Sequence, residues 1–327
     1  MKSEKVELSP KCEEHIYNLT NEFYRESLKQ SLLTACPALT DGEYKKLVGS
    51  DLQFDLEEFE INSFVRTACE LSHISRMYID YPNGFRYEPK LNQASEEHKG
   101  KNVDLSFLIE GVRFNVEVKC LTPKAEATDK VSLTALVPAT SDKLEIDRNE
   151  NVELVRSALL NVNDFIRSAN DKFGTPNDKE YNILSICCYD LPRMIEVLES
   201  IAGDFGIAFN RNRGFLSCQK NLDSDSFKKI DAIVINNISY LHFEYSKEET
   251  ELFLNPFDLL KSVTIGCMLH ENGRLDGDDA VLFKKAFNLH NDAYLAFCKA
   301  KSLEPSGHVM SFTEYVKFIN EQGYTCF

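Results

Sequence analysis

Several signatures of enzyme chemistry are missing from this chain. It has no G-x-x-x-x-G-K and no G-x-G-x-x-G, so no glycine-rich loop is expected to cradle nucleotide phosphates, and an ATP-driven motor is not expected. It has no G-x-S-x-G, which argues against a common serine hydrolase. Its ten cysteines include no C-x-x-C pair and no four-ligand zinc spacing. They read as small buried hydrophobes in a reducing compartment. Cys187 and Cys188 are neighbours in a strand-like run, where adjacent side chains point to opposite faces. None of the seven histidines has a second histidine three or four residues on with a Glu between, so His242 and His270 read as packing or surface residues. No apolar run approaches the roughly 18 residues of a membrane helix. The opening residues MKSEKVELSPKCEEHIYNL are charged and have no apolar h-region, so the expected location is cytoplasmic. Basic charge is also scarce: 37 Lys and Arg face 52 Asp and Glu, a net charge of −15. A basic nucleic-acid coat is thereby excluded, and any nucleic-acid contact must be local, against an unfavourable overall field.

What is present is ordinary globular material, 327 residues with 43% hydrophobic and 27% charged. Residues 1–50 are expected to be a helical segment, with Ile16, Leu19, Phe23, Leu28 and Leu32 at steps of three to five, broken by Pro37 and Thr40-Asp41-Gly42. Residues 51–245 carry an α/β pattern. A helix is predicted over Glu57–Met77 with Ile61, Phe64, Val65, Ala68 and Leu71 on one stripe. A second is predicted on Val152, Val155, Leu159, Val162, Ile166 and Ala169, and a third is predicted to begin near Pro192. Buried strands are expected at Tyr181–Tyr189 and Ile230–Ile235, and a polar loop over 121–150. Residues 246–327 are expected to be helical, on Leu282, Phe283, Ala286 and Phe287 and later Phe312, Tyr315, Val316 and Ile319.

One constellation carries chemistry. Val103, Leu105, Phe107 and Ile109 alternate with polar residues, as do Val112, Phe114, Val116 and Val118, and Glu110-Gly111 stands between them. Two period-two runs about a short turn predict a hairpin. Pairing Ile109 with Val112 sets Asp104 opposite Glu117 and Asn102 opposite Lys119, with both carboxylates and Lys119 on one face. Opposed carboxylates repel and need a cation. Lys119 offsets part of the charge, and Mg²⁺ would do so better because it favours carboxylate oxygens. A metal there can activate water, and Lys119 can orient it or stabilise the charge that develops on a phosphate.

The run NVDLSFLIEGVRFNVEVKC resembles the core of the PD-(D/E)xK, or restriction-endonuclease-like, superfamily, with Asp104 as its Asp and Glu117-Val118-Lys119 as its Glu-x-Lys. The resemblance spans roughly residues 57–190; Val103 stands where the family has proline. It implies a mixed sheet flanked by helices, with helical additions at both ends. It also implies a Mg²⁺-dependent nuclease (Mn²⁺ as a substitute) acting on DNA, and a dimer where two strands are cut. Asp104, Glu117 and the backbone carbonyl of Val118 or Cys120 would hold the metal, aided by an acidic residue of the upstream helix. Glu60 and Glu70 compete for that role. On a helical wheel Glu60 borders the apolar stripe and Glu70 falls nearly opposite it, so Glu60 is the expected ligand.

Against this stands a bland reading, a solvated hairpin face with ordinary ion pairs worth about 0–1 kcal/mol each. A third is the same fold without catalysis, acting as a regulatory or protein-binding module, which the −15 charge favours. From Lys99 to Lys130 there are six basic and five acidic residues, and Lys99, Lys101, Lys124 and Lys130 could reach phosphates. Arg211 and Arg213, between Phe209 and Phe215, form a basic patch with stacking potential or a loop beside core aromatics. Asp276-Gly277-Asp278-Asp279 lacks the remaining calcium ligands and is expected to start a helix.

Overall fold

A computed structural model describes residues 21–55, 59–91, 102–121, 158–175, 177–189, 193, 194, 197, 225, 227–245, 255–259, 262, 264–268 and 274–289. The described elements run in the order α1 (Glu22–Ala35), α2 (Asp41–Lys46), α3 (Ile61–Asp80), β1 (Arg86–Tyr87), β2 (Leu105–Ile109), β3 (Val112–Cys120), α4 (Ala158–Lys172), β4 (Glu180–Cys187), β5 (Ala232–Asn236), α5 (Ile238–Tyr245), β6 (Thr264–Met268) and α6 (Gly277–Ala286). The six strands form one sheet in sequence order. β3 pairs with β4 and β4 with β5 in parallel, while the outer pairings are antiparallel. The chain is therefore a mixed α/β protein with helices against its sheet.

Local chemistry explains the elements. Asn21 caps α1 by accepting from Phe23 N and Tyr24 N. Thr40 and Glu43 close a reciprocal capping box at α2. The hairpin pairs Ile109 with Val112 and continues to Leu105 with Val116, the register that the alternation predicts. Its turn holds Glu110 at φ 49° and Gly111 at φ 86°, the two left-handed positions of a tight hairpin. The left-handed conformation is natural only for the glycine.

The two sheet faces differ. Leu105, Phe107, Val116, Val118 and their β4 partners Ile183 and Ser185 share the face that meets α3. There Phe107, Phe114, Tyr81, Tyr181, Phe283 and Phe287 form a chain of ring contacts. Polar groups on this face are paired: His73 Nε2 lies 2.8 Å from Ser185 Oγ, and His242 sits between Tyr24 OH and Ser72 Oγ, each at 2.9 Å. Burial holds His242 neutral, with its pKa lowered to about 3. It is a packing residue, as its sequence context suggests. The opposite face carries Asn115, Glu117 and Lys119 of β3.

Two differences from expectation concern element type and extent. Residues 264–268, within the stretch expected to be helical, form β6 and extend the sheet on β5. A short β-branched edge strand gives no period that distinguishes it from a helix turn. α3 begins at Ile61 rather than Glu57 and runs to Asp80. Asp276 is the N-cap residue of α6, as the helix-start reading predicts, and Asp279 pairs with Lys179. Lys99, Lys101, Lys124, Lys130, Arg211, Arg213 and the helix expected on Phe312–Ile319 lie outside the described residues.

Candidate active site

β3 supplies the centre. Glu117 is fully buried, and its neighbours in the alternation put it on the face opposite the aromatic core. Its Oε1 receives two ammonium groups, Lys119 Nζ at 2.7 Å and Lys172 Nζ at 2.6 Å. Its Oε2 is buried without a hydrogen-bond partner among the described residues. A buried carboxylate oxygen with no donor is costly, and it is the kind of atom that a bound cation satisfies.

Asp104 joins this group by a route that the hairpin register alone does not predict. The ladder stops at Leu105–Val116, and Asp104 N bonds Val116 O at 3.1 Å, so the strand bulges there. The side chain then takes the place of the missing backbone acceptor, since Val118 N donates to Asp104 Oδ2 at 2.6 Å. That bond orients the carboxylate and leaves Oδ1 facing Lys172 Nζ at 3.9 Å. Asp104 and Glu117 thus face one ammonium, which holds the two like charges together. Burial and the Glu117 charge raise the Asp104 carboxyl to about 7. Burial opposes the charged form of Lys172, yet the Asp104 and Glu117 carboxylates outweigh it and raise its pKa.

The acidic residue that α3 brings to this group is Glu70, not Glu60. Glu60 is the N-cap of α3, accepting from Asn62 N at 3.1 Å and Ser63 N at 2.7 Å. The Ser63 hydrogen bond holds its carboxyl below the usual range. Ten residues of helix, about 15 Å of axis, separate it from Glu70. Glu70 is half-buried and feels the charges of the pair: desolvation first, then the charges of Asp104 and Glu117, push its pKa well up. The helical wheel does not separate the two because the side of α3 away from the apolar stripe is mixed: Thr67, Cys69 and His73 are buried, Glu70 is half-buried and Arg66 is exposed. Glu60→Ala is expected to cost about 0.5–2 kcal/mol of stability through the lost cap. It should leave divalent-ion binding unchanged, whereas Glu70→Gln should weaken that binding at least tenfold. Calorimetric titration with Mn²⁺ on both variants decides which residue belongs to the site.

Lys172, at the C-terminal end of α4, is the group that sequence reasoning missed. It lies far along the chain from the hairpin, and a lysine in a last helical turn reads as a partner of the helix dipole. The oxygens of Glu70, Asp104 and Glu117 and the carbonyl of Val118 are hard donors of the type that Mg²⁺ prefers, and the orphaned Glu117 Oε2 gives such an ion a reason to bind. In the arrangement observed, two lysines occupy the middle of the group. Among the described residues no three His, Cys, Asp or Glu side chains converge closely enough to enclose a metal.

No protein-family model, no curated protein and no solved structure matches this chain.

Proposed function

We propose that this protein is a Mg²⁺-dependent nuclease of the restriction-endonuclease-like type, hydrolysing phosphodiester bonds with DNA as its expected substrate. The observation that supports this reading is the gathering of fully buried Glu117 and partly buried Asp104 around Lys172 and Lys119, with Glu117 Oε2 left without a donor. Asp104, Glu117, Glu70 and the Val118 carbonyl would hold the ion. A bound Mg²⁺ supplies Lewis acidity toward a phosphoryl oxygen and makes a nucleophile of bound water near neutral pH. The chain's own part is positioning. The Val118 N–H fixes the Asp104 carboxylate, and Lys119, one-fifth exposed beside the buried Glu117, offers an ammonium to the attacking water or the phosphate charge. The net charge of −15 confines any phosphate contact to this neighbourhood and to local basic residues. Cleavage of plasmid, single-stranded DNA and RNA with Mg²⁺ or Mn²⁺ is the direct test. No cleavage of any of them, with Asp104→Asn and the parent alike, would reject it.

Lys172 makes a separate prediction. It competes with any divalent ion for Glu117 Oε1 and Asp104 Oδ1. Lys172→Met is therefore expected to bind Mn²⁺ about tenfold more tightly and to be less stable without metal, by about 1.5–3 kcal/mol for the lost charged contact. Weaker Mn²⁺ binding in this variant would make Lys172 a support of the metal rather than its rival.

A second reading has its own support. The two lysines already counter the carboxylates, and a site closed by its own charges suits a regulatory or protein-binding module of the same fold. A melting temperature that does not respond to Mg²⁺, Mn²⁺ or Ca²⁺ would favour it.

A further inference from the structure

α3 and β3 meet through sulfur. Cys69 of α3 is buried, and its Sγ lies 3.8 Å from Sγ of Cys120, the last residue of β3. Cys120 is half-buried, and its Sγ is also 3.2 Å from Ser239 Oγ. Cys187, which pairs with Cys120 across the β3–β4 ladder, is a third thiol but fully buried. None of the three is in a disulfide. Each member of the contacting pair adjoins a residue of the candidate site in the chain: Cys69 precedes Glu70 and Cys120 follows Lys119.

We propose that Cys69 and Cys120 are a peroxide-sensitive thiol pair whose disulfide ties α3 to the end of β3 and disables the adjoining site. Cys120 is the less buried member of the pair, so it reacts first. Its sulfur takes one oxygen from hydrogen peroxide, giving a sulfenic acid and water. The Cys69 sulfur then attacks the Cys120 sulfur. The S–S bond forms, the S–O bond breaks, and hydroxide leaves with the Cys69 proton as a second water. The two thiols have lost two electrons to one peroxide, and a dithiol reductant returns them. A disulfide needs an S–S distance of about 2.05 Å. Closing the observed 3.8 Å gap draws the end of β3 toward α3. Lys119 and Glu117 ride on that strand end, and a displacement of about 1 Å at a reacting centre can cost about 100-fold in rate.

The inhibitory consequence rests on the nuclease reading, but the pairing does not, and one experiment separates them. The reduced full-length protein is treated with hydrogen peroxide, its free thiols are alkylated, and it is digested with trypsin without reductant. Cys69 falls in the tryptic peptide 67–76 and Cys120 in 120–124, each with a single cysteine. The expected product is a cross-linked species of these two peptides, lighter by two hydrogens and lost on adding dithiothreitol. It should be absent in Cys120→Ser and in Cys69→Ala, and retained in Cys188→Ser. Mn²⁺-dependent cleavage should fall at least tenfold as the cross-link forms and recover with dithiothreitol. Cys120 recovered as sulfinic acid or free thiol, or linked to the peptide of Cys187, would overturn the pair. A cross-link that leaves cleavage unchanged would overturn the inhibition. If the reduced protein cleaves nothing, the nuclease reading fails and the peptide map still decides the pair.

Discussion

Lys119→Ala is expected to lower metal-dependent cleavage by about 100–1,000-fold, the usual cost of losing one pre-positioned donor to transition-state charge, while the protein still unfolds in a single cooperative transition. Survival of the fold follows from the geometry. Removing one partner of a buried ion pair ordinarily strands the other charge. Here Lys172 Nζ remains 2.6 Å from Glu117 Oε1 when Lys119 is gone, so the buried carboxylate keeps a counter-charge. Glu117→Gln is the harsher change for stability, because it leaves both ammonium groups without their common partner. Plasmid nicking rates and circular dichroism on the two variants separate the effects. If Lys119→Ala cleaves at the parental rate and Lys172→Ala does not, the ammonium that serves the reaction comes from α4 rather than from β3.

The hairpin was legible because three independent signals agree: two period-two runs, a short turn that tolerates left-handed backbone, and a register with only one choice that keeps both apolar rows inward. Pairing Ile109 with Val112 is therefore both the expected and the observed arrangement. Asp104 was legible as a neighbour of Glu117 but not as the acceptor for Val118 N, because a side chain that replaces a backbone acceptor at a bulge leaves no trace in alternation. Glu70 was hidden by an assumption in the wheel, that the side opposite the apolar stripe meets water. In α3 that side is mixed: Cys69 lies against Cys120 and His73 against Ser185, Arg66 is exposed, and Glu70 is half-buried where the charges of Asp104 and Glu117 reach it. Lys172 could not be found from spacing at all. Its link to the hairpin exists only once the crossover from β3 to β4 lays α4 along the sheet, and tertiary proximity of that kind has no local period.

Stability should depend on pH and on divalent ions in opposite senses, and Asp104 sets the direction. Its carboxyl titrates near 7 in the folded protein, because of burial and the Glu117 charge, against 3.8 when free. Below about pH 4 it is protonated in both states and contributes nothing. Between there and about pH 7 the folded state holds the proton that the unfolded state has released, so stability falls as pH rises, and the loss is complete above the folded value. Glu70, also raised, acts in the same sense. A divalent ion needs these groups ionised and so binds better as pH rises. At about 100 times its dissociation constant it adds about 2.7 kcal/mol, or about 4 °C in melting temperature for a chain of 327 residues. The expected result is a melting curve that declines from pH 5 to 8 without metal, with a gain on adding Mn²⁺ that grows over the same interval. In Asp104→Asn the metal-free decline should flatten and most of the Mn²⁺ gain should vanish. A Mn²⁺ gain independent of pH, or one that persists in Asp104→Asn, would place the ion elsewhere and separate the buried carboxylates from the proposed chemistry.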